Sequence, residues 1–388
     1  MCQRCFRAID SVLPQGYRGR VSERLNWIDG LRGIAVGMVL LYHSFPPFDV
    51  MNTQQNVGLG SAGVSLFFVL SGLCLSYRPL QLRASGQANW LDLRRFARAR
   101  CWRILPPYYT ALALFLVVRW VCTTHGWLWE ESGPVPGPIN LPDVLAHVLL
   151  LQNIDPRWTF TLDGPMWSLA TEAQWYVAFP ALLLLSLRWP RMTVILCLAC
   201  TVAWSFVPVG FTPWQASVYV PARLLEFAAG ILVAYMLTGA RRVHPTVLVA
   251  AGLPALALLT FVPVQVSLLH VYFVLAAVLF GSATLLVGQS SRLQSMMGVY
   301  PLARLGTISY SLYLVHIPIV LEVRAHLAAL PIGVAVTASV AAGLASGIVF
   351  YLVIERPILR RFRTASSSRS SARVADAVIQ ASAPAASA

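Results

Sequence analysis

Apolar runs close to the length of a membrane crossing recur near residues 28–45, 58–77, 104–122, 166–187, 192–209, 217–238, 246–263, 267–288, 302–322 and 332–354. A helix rises about 1.5 Å per residue, so about 20 residues cross the hydrocarbon core of a bilayer. A chain of 388 residues with this many runs has little left from which to build a soluble core. Charged residues make up only 11% of it, against about 25% in soluble domains. The expected fold class is all-α, a polytopic membrane protein with about ten transmembrane helices. The first 25 residues are polar and arginine-bearing without an apolar h-region, so no cleavable signal peptide is expected and the first span must anchor the chain.

All 29 basic residues are arginine, which excludes lysine Schiff-base chemistry. With the N-terminus cytoplasmic, 23 arginines fall in inside segments and two, Arg157 and Arg324, outside, with Arg32, Arg119, Arg223 and Arg304 inside spans. The net charge of +14 is therefore a positive-inside pattern rather than a nucleic-acid surface, and no nucleic-acid partner is expected. The reading divides the chain into a cytoplasmic N-terminal segment (1–26), a membrane domain (27–363) and a Ser/Ala-rich tail (364–388) expected to be disordered and cytoplasmic. Residues 78–103 form a basic inside loop, partly amphipathic helix. The outside segment 123–165 contains LPDVLAHVLLLQN, a short helix or re-entrant segment. Two CxxC pairs, Cys2/Cys5 and Cys197/Cys200, lack the second pair or the histidines a zinc site needs, so no metal is expected.

The first run, WIDGLRGIAVGMVLLYHSF, places Asp29, Arg32 and His43 where ionisable groups cost about 2.5–3.5 kcal/mol each. At 100° per residue they fall within about 60° of one another and form a polar stripe along one face. His43 has the chemistry of a general base near neutral pH, or is an interfacial histidine satisfied by a carbonyl. Asp29 and Arg32, three apart, can form an ion pair or contribute to a site. Arg100 and Arg103 share one helical face and Arg94 and Arg98 roughly the opposite one, which suits phosphate binding on one side and lipid headgroups on the other. In WSLATEAQWY, Ser168, Glu172 and Tyr176 share a face, and the buried Glu172 needs a partner. Arg223 and Glu226 read first as a structural ion pair, and as acceptor ligands second. In SYSLYLVH, Ser309, Tyr313 and His316 also share a face, as a hydrogen-bonded core cluster or as part of an active-site lumen. The small residues of GLGSAGVSLFFVLSG permit close helix packing. The absence of an internal repeat weakens a transport reading without excluding it.

Seven stretches together resemble the acyltransferase 3 family of integral membrane acyltransferases: LNWIDGLRGIAVGMVLLYHS, GVSLFFVLSGLCLSY, RARCWRILPPYY, GPMWSLATEAQWYVAFP, VPARLLEFAAGILVAY, ISYSLYLVHIPI and IERP, in the family's order over about residues 26–363. The resemblance implies O-acetylation of a carbohydrate such as lipopolysaccharide or exopolysaccharide in the bacterial inner membrane. The donor would be acetyl-CoA or another acyl-CoA bound from the cytoplasm, and the acceptor a hydroxyl from the other side. It implies a catalytic role for His43 and CoA binding by Arg100 and Arg103, with Arg32 a candidate beside them and Glu172 a candidate catalytic acid. Many relatives carry two consecutive acids where this chain has Glu172 followed by Ala173. Relatives with an added extracytoplasmic hydrolase domain are longer, so this chain is expected to work alone or with a separate partner. A glycolipid transporter or flippase, and an acyltransferase for a small secreted metabolite, are the alternatives.

Overall fold

The computed structural model describes residues 26–45, 59–88, 90–125, 140–162, 164–207, 216–239, 242–261 and 268–361. The N-terminal segment with Cys2 and Cys5, and the tail, lie outside the described residues. Among these, the chain is helical with no strand: α1 (Asn26–Ser44), α2 (Leu59–Ala84), α3 (Leu93–His125), α4 (Leu141–Val148), α5 (Met166–Arg188), α6 (Pro190–Trp204), α7 (Val220–Thr238), α8 (Pro245–Phe261), α9 (Leu269–Gln289), α10 (Ser291–Met297), α11 (Tyr300–His326) and α12 (Ile332–Phe350). A π-helical turn, Tyr351–Glu355, continues α12. Each of the ten apolar runs falls on one of these helices.

Six helices are long and apolar enough to cross a membrane: α2, α3, α7, α9, α11 and the continuous α12. Helices α6 and α8 are apolar but shorter, at 15 and 17 residues. Helices α1 and α5 have the length, 19 and 23 residues, and lose apolar character to the polar residues they carry. Exposed Leu114, Val117 and Trp120 on α3, Leu253 and Leu256 on α8, Val349 on α12 and Val353 in its π-helical continuation make an apolar surface that suits lipid. The chain is a multi-pass membrane protein.

Glycines set which helices touch. A Cβ at Gly306 of α11 would land on the carbonyl oxygen of Asp29 in α1, and one at Gly72 of α2 on that of Phe227 in α7. Without a Cβ the backbones meet, which is how helices associate where lipid supplies no hydrophobic drive. Helices α1, α2, α7 and α11 thereby form a tight centre, with α12 on α11 and α9 on α7. Helices α3 and α5 stand further off, joined to each other by Phe96 stacked on Phe179 at 5.2 Å, and α5 reaches the centre through Trp175, stacked on Phe227 of α7 at 4.7 Å. The space left between is where cavities open.

Helix α4 starts where the sequence marks it. Asn140 caps it by accepting the Asp143 N–H at 2.9 Å, and proline stands in its first turn. It is inverted relative to a soluble amphipathic helix, with Leu141, Leu145 and Leu149 exposed and Asp143 and His147 buried. Tyr108 and Tyr109 of α3 donate to the His147 and Val148 carbonyls, each at 2.9 Å, fixing its C-terminal end to the bundle.

Candidate active site

Two adjoining cavities open between the tight centre and α3/α5. The inner one is lined by Arg32, Ser71, Cys74, Arg100, Arg103, Glu172, Tyr176 and Tyr310. The second shares Arg32, Ser71, Glu172 and Tyr310 and continues along Val64, Phe67, Phe68, Ser168, Ser309 and Tyr313. The shared residues make them one path, cationic and polar at one end, aromatic at the other.

Helical spacing accounts for much of this lining. Ser168, Glu172 and Tyr176, spaced by four, run along the path on one face of α5. Glu172 Oε1 accepts hydrogen bonds from Ser71 at 2.7 Å and Tyr176 at 2.6 Å. Arg100 and Arg103 turn into the inner cavity, whereas Arg94 and Arg98 are exposed on the other side of α3. The Arg100 guanidinium carbon sits 5.5 Å from the Phe96 ring centre and 5.6 Å from that of Tyr176, a cation–π cradle that holds the charge in place.

Of the two readings open for Asp29 and Arg32, an ion pair or a contribution to a site, the first does not hold: no ion pair between them is formed. Arg32 lines both cavities, and its buried Nε has no hydrogen-bond partner. Asp29 is buried at the contact of α1 with Gly306 of α11, so the roughly 60° between the two residues sends them to different neighbours. A buried guanidinium nitrogen without an acceptor, beside two further arginines, fits an anionic group such as a phosphate.

His43 lies beyond the aromatic end of the path and lines neither cavity, whereas Glu172 lines both. Its Nδ1 is 2.9 Å from the Val39 carbonyl and 3.2 Å from His316 Nε2. The three residues expected on one face of α11 divide the work. Ser309 and Tyr313 line the second cavity, and His316 meets His43 with ring centres 5.1 Å apart. Tyr313, with its ring centre 6.0 Å from those of Phe67 and His316, stands between the cavity and the histidines, and its hydroxyl is 2.7 Å from that of Ser168.

Arg223 and Glu226 are elsewhere. They form a fully buried pair at 3.3 Å, and Arg223 also donates to the Ser217 carbonyl at 2.9 Å and to Ser61 and Ser65 at 3.2 Å each. The Phe273 ring lies 4.3 Å from its guanidinium carbon. The pair lines neither of these cavities and is enclosed by these partners.

Sequence reasoning missed Ser71, Cys74 and Tyr310, which line the path, and the buried Glu355, whose carboxylate accepts from Ser311 at 2.5 Å. Glu355 had a signal, since it is the acid of the IERP stretch. Its inward aim comes from the π-helical turn, which no residue type announces. Cys197 and Cys200 are free thiols on α6, Cys197 buried.

A multi-pass bundle whose central helices carry this polar path has the organisation of a membrane-embedded transferase, and comparison with known proteins agrees. Residues 25–356 match the acyltransferase domain family, and the chain belongs to that family. It is 26% identical over 320 residues to the peptidoglycan O-acetyltransferase OatA of Listeria monocytogenes, covering 76% of this chain and 49% of that one. It is 28% identical over 330 residues to the exopolysaccharide production protein ExoZ of Rhizobium meliloti, covering 80% and 93%. To the acyltransferase MdmB of Streptomyces mycarofaciens it is 27% identical over 378 residues, covering 87% and 92%. The chain thus spans about half the length of the OatA protein and nearly all of the other two. No solved structure matches.

Proposed function

We propose that this chain is a ten-span O-acyltransferase of the bacterial inner membrane, N-terminus cytoplasmic, which moves an acetyl group from cytoplasmic acetyl-CoA to a hydroxyl of an extracytoplasmic carbohydrate. The observation that carries the reading is the continuous path from three arginines to the edge of the His43–His316 pair. Arg32 and His43 are eleven residues apart on α1, about 16 Å along its axis, a span suited to an extended pantetheine arm. Relatives named for O-acetylation of peptidoglycan and for exopolysaccharide production support a carbohydrate acceptor.

Arg100, Arg103 and Arg32 hold the phosphates of the donor, and the Phe67–Tyr313 end of the path receives the thioester. His43 takes the acceptor's hydroxyl proton as its oxygen attacks the thioester carbonyl. The C–O bond forms, the C–S bond breaks, and the departing thiolate takes the proton back from His43. Direct transfer needs no enzyme nucleophile.

Acetyl-CoA at about 100 times its Kd is expected to stabilise the purified protein by about 2.7 kcal/mol. Arg100→Ala or Arg103→Ala is expected to weaken binding roughly 10- to 100-fold, the worth of a charge-assisted hydrogen bond. His43→Ala is expected to keep that binding and lose about 10²- to 10⁴-fold in transfer. Mass spectrometry of envelope glycans and secreted metabolites from parent and His43→Ala cells names the acceptor. A lost acetyl on a glycan supports the reading, whereas one on a secreted metabolite overturns the acceptor class. No acetyl-CoA stabilisation, together with glycan translocation intact in His43→Ala, makes the protein a transporter.

A further inference from the structure

The backbone settles which nitrogens of the two facing histidines carry protons. His316 Nδ1 lies 3.0 Å from the carbonyl oxygens of both Leu312 and Tyr313, and His43 Nδ1 lies 2.9 Å from that of Val39. A carbonyl only accepts, so in each ring Nδ1 is the protonated nitrogen and, in the neutral ring, Nε2 has the lone pair. His316 Nε2 faces His43 Nδ1 at 3.2 Å, so the N–H of His43 is shared between the Val39 carbonyl and an imidazole lone pair. His316 is itself fully buried and held by two carbonyls, which leaves its ring little freedom to turn.

Building on the function proposed above, we propose that His316 is a positioning residue for His43, accepting its Nδ1–H so that Nε2 of His43 is presented as the base. Catalytic histidines in Ser-His-Asp systems have a carboxylate set against the same nitrogen, and loss of the correct tautomer there costs about 10⁴-fold. Here the group is an uncharged imidazole. Together with the Val39 carbonyl it holds the tautomer and ring plane, and it shares the charge that appears when His43 takes the acceptor's proton. All of this happens at Nδ1, away from the bonds that change. His316 touches neither donor nor acceptor, and its contribution passes through His43.

Proteoliposomes of the full chain test the pair, with acetyl-CoA as donor and envelope polysaccharide from His43→Ala cells as acceptor. His316→Ala is expected to lower kcat roughly 10- to 100-fold, a fraction of what loss of the base itself costs, with KM for acetyl-CoA unchanged. His316→Gln, whose side-chain carbonyl can accept the same N–H, is expected to restore most of kcat. Wild-type kcat in His316→Ala overturns the proposal. So does a Gln variant no better than Ala, or loss of acetyl-CoA binding along with turnover, which would assign His316 to packing. Nitrogen-15 spectra of histidine-labelled proteoliposomes read the hydrogen bond independently of turnover. His43 and His316 should both be Nδ1–H tautomers, with the His43 signal moving in His316→Ala and His316→Gln. If the parent protein transfers no acetyl group, the function proposed above fails. The spectra still decide the pair, and an Nε2–H tautomer at either ring overturns it.

Discussion

At the scale of single residues, two kinds of buried charge occupy this membrane core, and their surroundings distinguish them. Arg223 is saturated by Glu226, two serines, a backbone carbonyl and the Phe273 ring. Arg32 has a buried nitrogen with no partner, beside a cavity. Removing one member of a closed pair strands the other charge, so Glu226→Ala is expected to destabilise by about 3–5 kcal/mol. The double replacement Arg223→Met/Glu226→Leu, which removes both charges, is expected to recover much of that in a thermal or denaturant titration of the purified protein. Arg32→Ala, by contrast, strands no paired charge and is expected to leave stability within about 1 kcal/mol while weakening acetyl-CoA binding. The sequence showed that both arginines were expensive and placed Arg32 on the face of His43, because helical angles depend on numbering alone. It could not show which arginine would be closed off. The partners of Arg223 include Ser61 and Ser65, about 160 residues away in the chain, and Asp29, a possible partner for Arg32, meets Gly306 of α11 through its backbone. The His43–His316 pair was equally hidden, for each histidine was legible on its own helix and nothing local joined them.

At the scale of elements, the apolar runs foretold where helices form, and failed to foretell spacing. Helices α1 and α5 fall below the apolarity of a membrane crossing because of Asp29, Arg32, His43, Ser168 and Glu172, most of which face cavities or the histidine pair. The weakest hydropathy signals thus mark the site itself. The short helix within LPDVLAHVLLLQN was also readable, from Asn140 and the proline after Leu141. Helix–helix distance was readable only as a supply of small residues, since nothing local separates the span glycines that meet a neighbouring backbone from those, such as Gly252 and Gly281, that do not. Gly306 and Gly72 are two that do. Gly306→Ala and Gly72→Ala each drive a Cβ into a backbone carbonyl of the neighbouring helix, which cannot move without shifting the whole element. Both are expected to lower the yield of monodisperse protein and its stability by more than the roughly 1–3 kcal/mol of ordinary overpacking. Gly333→Ala at the start of α12, where a Cβ meets nothing within 4 Å, is the control and is expected to be neutral or slightly stabilising. Size-exclusion profiles and melting curves of the three variants check this, and equal behaviour would show that the glycine contacts do not set the helix distances.

For the whole molecule, the distribution of charge and the direction of the path make one joint requirement. On the proposed function, donor phosphates enter at the end carrying Arg32, Arg100 and Arg103, and acetyl-CoA is a cytoplasmic metabolite, so that reading requires this end to face the cytoplasm. The positive-inside rule reaches the same orientation without reference to function, because with the N-terminus inside 23 of the 29 arginines fall in inside segments and two in outside ones. Both point to one topology, and a single reagent tests both. Cys101 is exposed on α3 in the basic segment between Arg100 and Arg103. Arg157, expected on the other side, is exposed in the loop between α4 and α5, where it pairs with Asp155 at 2.6 Å. A membrane-impermeant maleimide applied to right-side-out vesicles of an Arg157→Cys protein is expected to modify position 157 and leave Cys101 untouched, and inverted vesicles should reverse the pattern, as read by peptide mass spectrometry. Acetyl-CoA added outside should support transfer only in the inverted vesicles, where it should also slow modification of Cys101, the neighbour of Arg100. Modification of Cys101 from the outside of right-side-out vesicles would turn the molecule over. It would put the arginines on the side without donor, and the charge pattern and the proposed chemistry would then have to be given up together.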